Sequence, residues 1–213
     1  MITCLHGFLG LPSDWDFLRD AGFAIRAIDL FRGKTVPETG DTLLGYSMGG
    51  RLALTALAKG AAYQRAVIVS AGLNVSEETE RTERRAHDER WAERFQSEPW
   101  DDLTADWNRQ AVFGGRAVDR VEADFDRVEL GKALRKWSSG ALPPLEPHLE
   151  TIAIPVLWIA GETDERYLEA AKRAIELLPR GELAVAPGAG HRVPWEQPDW
   201  FAERLREFTT GNG

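Results

Sequence analysis

The stretch Gly45-Tyr46-Ser47-Met48-Gly49-Gly50 constrains this chain more than any other. It stands between a short apolar run, Thr42–Gly45, and a segment, Met48–Ala58, whose small and apolar residues fit a helix. A Gly-x-Ser-x-Gly sequence at a strand-to-helix turn forces the serine into strained backbone geometry, while the flanking glycines let neighbouring segments approach. The serine hydroxyl then points into a cleft above a sheet, and the N–H of Met48 is aimed to stabilise an oxyanion.

Such a turn needs strands that each feed a helix, and the remaining sequence supplies them. Candidate strands are Ile2–Leu5, Phe23–Ile28, Thr42–Gly45, Ala66–Ser70, Pro155–Ala160 and Glu182–Ala186. Candidate helices are Ser13–Arg19, Met48–Ala58, Glu165–Leu178 and Pro198–Phe208, the last opened by a proline whose missing N–H costs nothing there. The pattern predicts an α/β fold: a mostly parallel sheet of about six strands flanked by helices. From Asn74 to Leu149 the rhythm breaks. Charged helix formers with interleaved tryptophans replace the strands, Ser76 is the candidate N-cap, and Ala141-Leu142-Pro143-Pro144 closes the stretch. Residues 74–149 are therefore expected to form a helical cap inserted between the two parts of the core, 1–73 and 150–213. Trp91, Trp100, Trp107 and Trp137 in this stretch are the large side chains such a layer needs. The tail Thr209-Thr210-Gly211-Asn212-Gly213 is expected to fray.

A serine nucleophile or base needs a histidine, and the histidine needs an orienting acid. After the strand Pro155–Ala160 comes Gly161-Glu162-Thr163-Asp164, and after the last strand comes Pro187-Gly188-Ala189-Gly190-His191. Both lie where loops at the C-terminal ends of parallel strands converge. Ser47, Asp164 and His191 are the candidate catalytic residues, with Glu162 the rival acid. The loop Leu5-His6-Gly7-Phe8-Leu9-Gly10 supplies the second oxyanion donor, the amide of Phe8, beside that of Met48. His87 and His148 read as surface residues of the cap.

Composition removes several classes of partner. A formal net charge of −8 makes nucleic acid or an anionic membrane a poor match for the surface. No apolar run is long enough to span a bilayer. A local arginine cluster still allows an anionic small molecule as substrate. The N-terminus shows no basic and apolar leader pattern, and Cys4 is the single cysteine; both point to a cytoplasmic protein, with Cys4 a small buried hydrophobe. No metal-ligand pattern and no cofactor motif is present.

Together these motifs resemble the α/β-hydrolase superfamily from residue 1 to about residue 208. The stretch Gly45-Tyr46-Ser47-Met48-Gly49-Gly50-Arg51-Leu52-Ala53-Leu54 is similar to the family of 2-succinyl-6-hydroxy-2,4-cyclohexadiene-1-carboxylate synthases (MenH). So are Gly72-Leu73, Glu83-Arg84-Arg85 through Asp88, and Ala105-Asp106-Trp107 through Val112-Phe113. The resemblance implies a lyase of menaquinone biosynthesis that expels pyruvate in a 2,5-elimination without a cofactor. It implies Ser47 as base through His191 and Asp164. It also implies Arg51 and Arg84 on substrate carboxylates, Tyr46 and Trp107 in the pocket, and a further cap arginine, Arg120 or its rival Arg127. The same triad would equally serve a carboxylesterase, with Ser47 forming an acyl-enzyme.

Two departures from that family stand out. The chain opens directly on the strand before the oxyanion loop, without the usual first hairpin strands. Between Leu30 and Leu43 the family's helix is replaced by Phe31-Arg32-Gly33-Lys34-Thr35-Val36-Pro37 and Glu38-Thr39-Gly40-Asp41, too short and polar to form it. Its loss is expected to uncover one side of the sheet near Ser47, widening the pocket or leaving an apolar face for a second copy in a homo-oligomer.

Overall fold

The computed structural model describes residues 1–33 and 35–211. Lys34, and Asn212 and Gly213 at the end of the tail, lie outside the described residues. The chain divides into two compact units, one of Met1–Leu30, Lys34–Gly72 and Leu145–Gly213, the other of Phe31–Gly33 and Leu73–Pro144.

The first unit is built on six strands: β1 (Ile2–Leu5), β2 (Ile25–Ile28), β3 (Thr39–Tyr46), β4 (Ala62–Val69), β5 (Val156–Gly161) and β6 (Gly181–Ala186). They are hydrogen-bonded in the order β2-β1-β3-β4-β5-β6, and every neighbouring pair is parallel. Parallel pairing demands crossovers. These run through α1 (Asp16–Asp20), α2 (Met48–Ala58) and α7 (Glu165–Leu177), and α9 (Pro198–Thr210) follows β6. Strands covered on both faces read as apolar runs; β1 and β5 are accordingly buried at every position. Cys4, Leu44, Val67 and Leu157 stand side by side in register across four strands, none more than 1% exposed, as the centre of the core. Chain direction across the sheet reverses between β1 and β3, and a crevice opens outside the carboxyl ends of strands at such a reversal.

Local chemistry moves several boundaries. The predicted helix Ser13–Arg19 is a 3₁₀ turn, Pro12–Trp15, running into α1. The Asp14 carboxylate accepts the Leu11 N–H and tightens this start. β3 begins earlier than Thr42, because Thr39 and Gly40 already pair with Ala62 and Tyr63. Instead of fraying at Thr209, α9 runs to Thr210 and ends on Gly211, whose φ of 77° suits a left-handed cap.

The second unit contains α3 (Glu78–Ser97), α4 (Trp100–Asn108) and α5 (Arg127–Lys136), while α6 (Glu146–Leu149) belongs to the first. α3 is capped by Glu77, not Ser76: the Glu77 carboxylate accepts the Thr79 N–H at 2.9 Å. Three helices enclose little volume, and aromatic rings fill it. Trp91 meets Trp107 edge-on at 4.9 Å, Phe95 lies 5.6 Å from Trp107, and Trp100 stacks on Phe125 at 5.5 Å. Phe31 joins this cluster, 6.4 Å from Phe125. Leu30 and Phe31 are both buried. The exposed large apolar side chains among the described residues are Met1, Val121, Val128 and Val185, none of them in the segment after β2.

Among the described residues no helix is long and apolar enough to cross a membrane.

Candidate active site

Ser47 is fixed before any partner reaches it. Its backbone adopts φ 51°, ψ −112°, a conformation L-residues avoid, and its N–H is held by the Val69 carbonyl at 2.8 Å. Close approach makes this turn possible. A Cβ on Gly45 would collide with the backbone of Gly49, and one on Gly49 with the carbonyls of Leu5 and His6. Both positions must be glycine for β3, α2 and the loop after β1 to meet.

His191 Nδ1 lies 2.7 Å from Asp164 Oδ2, and His191 Nε2 lies 3.0 Å from Ser47 Oγ. A carboxylate only accepts, so Nδ1 carries the proton and the Nε2 lone pair faces the serine hydroxyl. The histidine and the aspartate are buried at 3% and 7% exposure, while Ser47 is half-buried. The rival acid is turned elsewhere: the Glu162 carboxylate accepts the Gly188 N–H at 2.7 Å. Asp164 reaches the imidazole because Gly161 lets the β5 end lie against the histidine loop, where a Cβ would strike the carbonyls of Gly190 and Ala189.

Met48 is the first residue of α2, so its N–H has no acceptor within the helix and shares the positive end of the helix dipole. Phe8 sits in a turn closed by the Gly10 N–H on the Gly7 carbonyl, beside the Ser47 strand end because Leu5 pairs with Gly45. The loop is pinned by His6, which is fully buried. Leu30 donates its N–H to His6 Nε2 at 3.0 Å, so Nδ1 carries the ring proton and donates to the Gly7 carbonyl at 2.7 Å.

The residues singled out for substrate binding have more varied surroundings. Tyr46 is a core residue: its ring lies edge-on to Trp195 at 4.8 Å and 5.5 Å from the His191 ring. Burial holds its phenol above the usual range, with the Arg192 guanidinium opposing. Arg51 is half-buried one helical turn after Ser47, its N–H on the Ser47 carbonyl. In the second unit Arg84 grips Asp88, and Trp107 is a half-buried member of the aromatic cluster. Arg120 and Arg127 line one groove of about 670 Å³ with Trp100, Asp101 and Glu122. The Arg127 guanidinium is committed to the carbonyls of Phe95 and Glu98 and to the Glu122 carboxylate. The Arg120 carbonyl accepts the Trp100 indole N–H at 2.7 Å. Of the histidines read as surface residues, His148 is exposed and His87 half-exposed.

A profile of the alpha/beta hydrolase family matches residues 4–204. The chain belongs to that family. The 2-succinyl-6-hydroxy-2,4-cyclohexadiene-1-carboxylate synthase of Serratia proteamaculans is 34% identical over 179 residues, 80% of this chain and 68% of that protein. The synthase of the same name from Pectobacterium atrosepticum is 31% identical over 97% of this chain and 92% of its own length. Among solved structures, MenH from S. aureus shares the fold with a TM-score of 0.87 at 24% identity, covering 99% of this chain and 93% of that one. This alpha/beta hydrolase is an enzyme with synthase relatives.

Sequence reasoning missed the residues that hold this hydrolase's histidine loop. Glu196 accepts the N–H of Gly190 at 2.6 Å and that of Arg192 at 3.0 Å, bracketing His191. Tyr167, on the first turn of α7, packs its ring 4.4 Å from the imidazole. Neither had a spacing signal, because each acts on backbone or ring surface brought to it by the fold. The described residues hold no group of three or more His, Cys, Asp or Glu able to share a metal ion.

Proposed function

We propose that this enzyme forms 2-succinyl-6-hydroxy-2,4-cyclohexadiene-1-carboxylate by eliminating pyruvate from the 5-enolpyruvyl precursor, a step of menaquinone biosynthesis. The observation that carries the reading is the Ser47–His191–Asp164 hydrogen-bonded chain, in a molecule whose relative over 97% of its length bears that synthase name. In this account Ser47 Oγ, its proton drawn to His191 Nε2, removes a proton from the substrate ring. A new C=C bond forms and the C–O bond to the enolpyruvyl group breaks. Asp164 stabilises the resulting imidazolium, and the N–H groups of Phe8 and Met48 hold the charge that develops on oxygen. The proton then returns from His191 to the departing enolate, which leaves as pyruvate, so the enzyme is unchanged and no cofactor takes part.

The substrate carries several carboxylates, and arginine's planar fork matches them. Arg51, Arg84 and Arg120 are proposed for that role, with Arg127 the rival to Arg120. Tyr46 and Trp107 are proposed as pocket residues, Tyr46 acting from beneath the imidazole. Residues 74–149 are proposed as the cap of the site. The proposed setting is the cytoplasm, in keeping with a biosynthetic step and one buried free cysteine.

A carboxylesterase is the second reading, favoured by the strained Ser47 beside the unpaired helix-start N–H of Met48, which also suits acyl transfer. The two part on substrate preference. The lyase reading expects kcat/KM for pyruvate release to exceed that for p-nitrophenyl acetate hydrolysis by about a hundredfold or more. The reverse ratio would establish the esterase.

A further inference from the structure

Three arginines, Arg81, Arg84 and Arg85, follow one another on the first turns of α3, and they are used differently. Arg81 donates to the carbonyls of Val75 and Leu142, and Arg85 to the carbonyl of Gly140. These two tie the helix to the loop that closes the unit. The loop comes so close that a Cβ on Gly140 would collide with the Arg81 carbonyl and crowd Arg84 Cβ. The Arg84 guanidinium is turned instead to its own helix. Its Nε and Nη2 donate to the two oxygens of Asp88, each at 2.9 Å, and among the described residues Nη1 has no protein acceptor.

Asp88 makes this unlike an ordinary pair four residues apart on a helix. Such pairs are normally exposed at both ends and contribute little to stability. Asp88 is only 2% exposed, whereas the Arg84 side chain is 33% exposed. Burying a carboxylate is costly, and a buried ion pair is a poor source of stability compared with apolar packing. What the arrangement does supply is geometry. A guanidinium has two edges that can each hold a carboxylate by two N–H groups. Asp88 occupies the Nε–Nη2 edge from the buried side, with His87 Nδ1 standing 3.3 Å from Oδ1. The plane of the fork is thereby fixed, and the N–H groups of the Nη1–Nη2 edge not used by Asp88 are left for another acceptor on a side chain that is still partly exposed.

We propose that Asp88 is a positioning residue that holds Arg84 as a preformed receptor for a second, incoming carboxylate. The proposal rests on the reading of Arg84 as a substrate-binding residue and adds the device that orders it. Ordering a long arginine before binding removes part of the entropy cost that binding would otherwise carry. Asp88 acts only through Arg84, so the two must be non-additive.

The test is a double-mutant cycle of Asp88→Asn and Arg84→Met, read by calorimetric binding of succinate and by KM and kcat for pyruvate release, with melting temperatures alongside. Asp88→Asn is expected to weaken succinate binding and raise KM by about tenfold while kcat changes by less than about threefold. In the Arg84→Met background it is expected to change neither binding nor KM. Asp88→Glu keeps the charge but displaces it by one methylene, and is expected to give the same pattern at about threefold, which keeps the question answerable if the asparagine variant folds poorly. Absence of succinate binding to the wild type would overturn the proposal. So would undiminished binding to Asp88→Asn, or a further loss in the Arg84→Met background. Absence of pyruvate release with the succinate cycle intact would overturn the lyase reading and leave the receptor standing.

Discussion

The end of the sheet and the helical unit around α3 both assemble charged and polar side chains, but by opposite means. At the sheet, backbone does the placing. Strand ends in fixed register carry Ser47, Asp164 and His191, and glycines allow the close approach. Side chains such as His6 and Glu196 serve mainly to hold main chain. Around α3, side chains hold side chains and carbonyls: Arg84 on Asp88, Arg127 on Phe95 and Glu98, Trp100 on Arg120. A site built from backbone register tolerates little change and suits chemistry that needs sub-ångström placement. A site built from long side chains can be altered one residue at a time, which suits substrate selection.

Breaking the backbone-built region should give the largest effects. Asp164→Asn presents an amide whose N–H₂ group can force the wrong imidazole tautomer, and activity is expected to fall by about 10⁴. Glu162→Gln, measured in the same kinetics, is expected to stay within about twofold, since that carboxylate serves only the Gly188 N–H. Gly161→Ala must push β5 away from the histidine loop, and a loss of about 2–3 kcal/mol in chemical denaturation is expected. Glu196→Gln keeps the shape but weakens two charge-assisted bonds; kcat should drop by about tenfold with the melting temperature little changed.

Sharpening the comparison on the other side, Arg127→Ala frees two carbonyls in the helical unit. It is expected to cost about 1–3 kcal/mol of stability while changing kcat for pyruvate release less than Glu196→Gln does. The smallest effect concerns alkaline stability of the sheet core. Burial raises both the Cys4 thiol and the Tyr46 phenol, so the folded state keeps protons that the unfolded chain loses. Stability is therefore full below the ordinary thiol range and declines as pH rises through it, by about 1.4 kcal/mol per pH unit for each group once its unfolded form is ionised. Cys4→Ala should remove the earlier part of that decline in denaturation curves taken at increasing pH.

The same contrast explains what could be read from the sequence. Strands such as β1 and β5 and the serine turn were legible because burial on both faces leaves continuous apolar runs, and a strand-to-helix serine turn needs glycine at fixed offsets. Asp164 was separable from Glu162 only by loop position; it is the Asp164 carboxylate that lies 2.7 Å from the imidazole. Asp88 was legible as a partner for Arg84 only as one of two acids at helical spacing, Glu80 being the other, and its burial was not legible at all. In the run from Ser76 to Asp88 a buried aspartate looks like any other acid on a solvated helix face, and Glu77 looked no better a cap than Ser76. His6 and Glu196 escaped notice because their partners are backbone groups distant in sequence or inside a turn. The contact of Phe31, in the segment after β2, with Phe125 was not legible either, because the two lie far apart along the chain.

The most direct test of the account is release of pyruvate from freshly prepared 5-enolpyruvyl substrate, with spontaneous elimination subtracted, by wild type and Ser47→Ala in parallel. The account predicts rapid release that falls by about 10⁴ or more, to background, when the hydroxyl is removed. Release that survives the substitution, or wild-type protein that hydrolyses p-nitrophenyl acetate but frees no pyruvate above background, would contradict it.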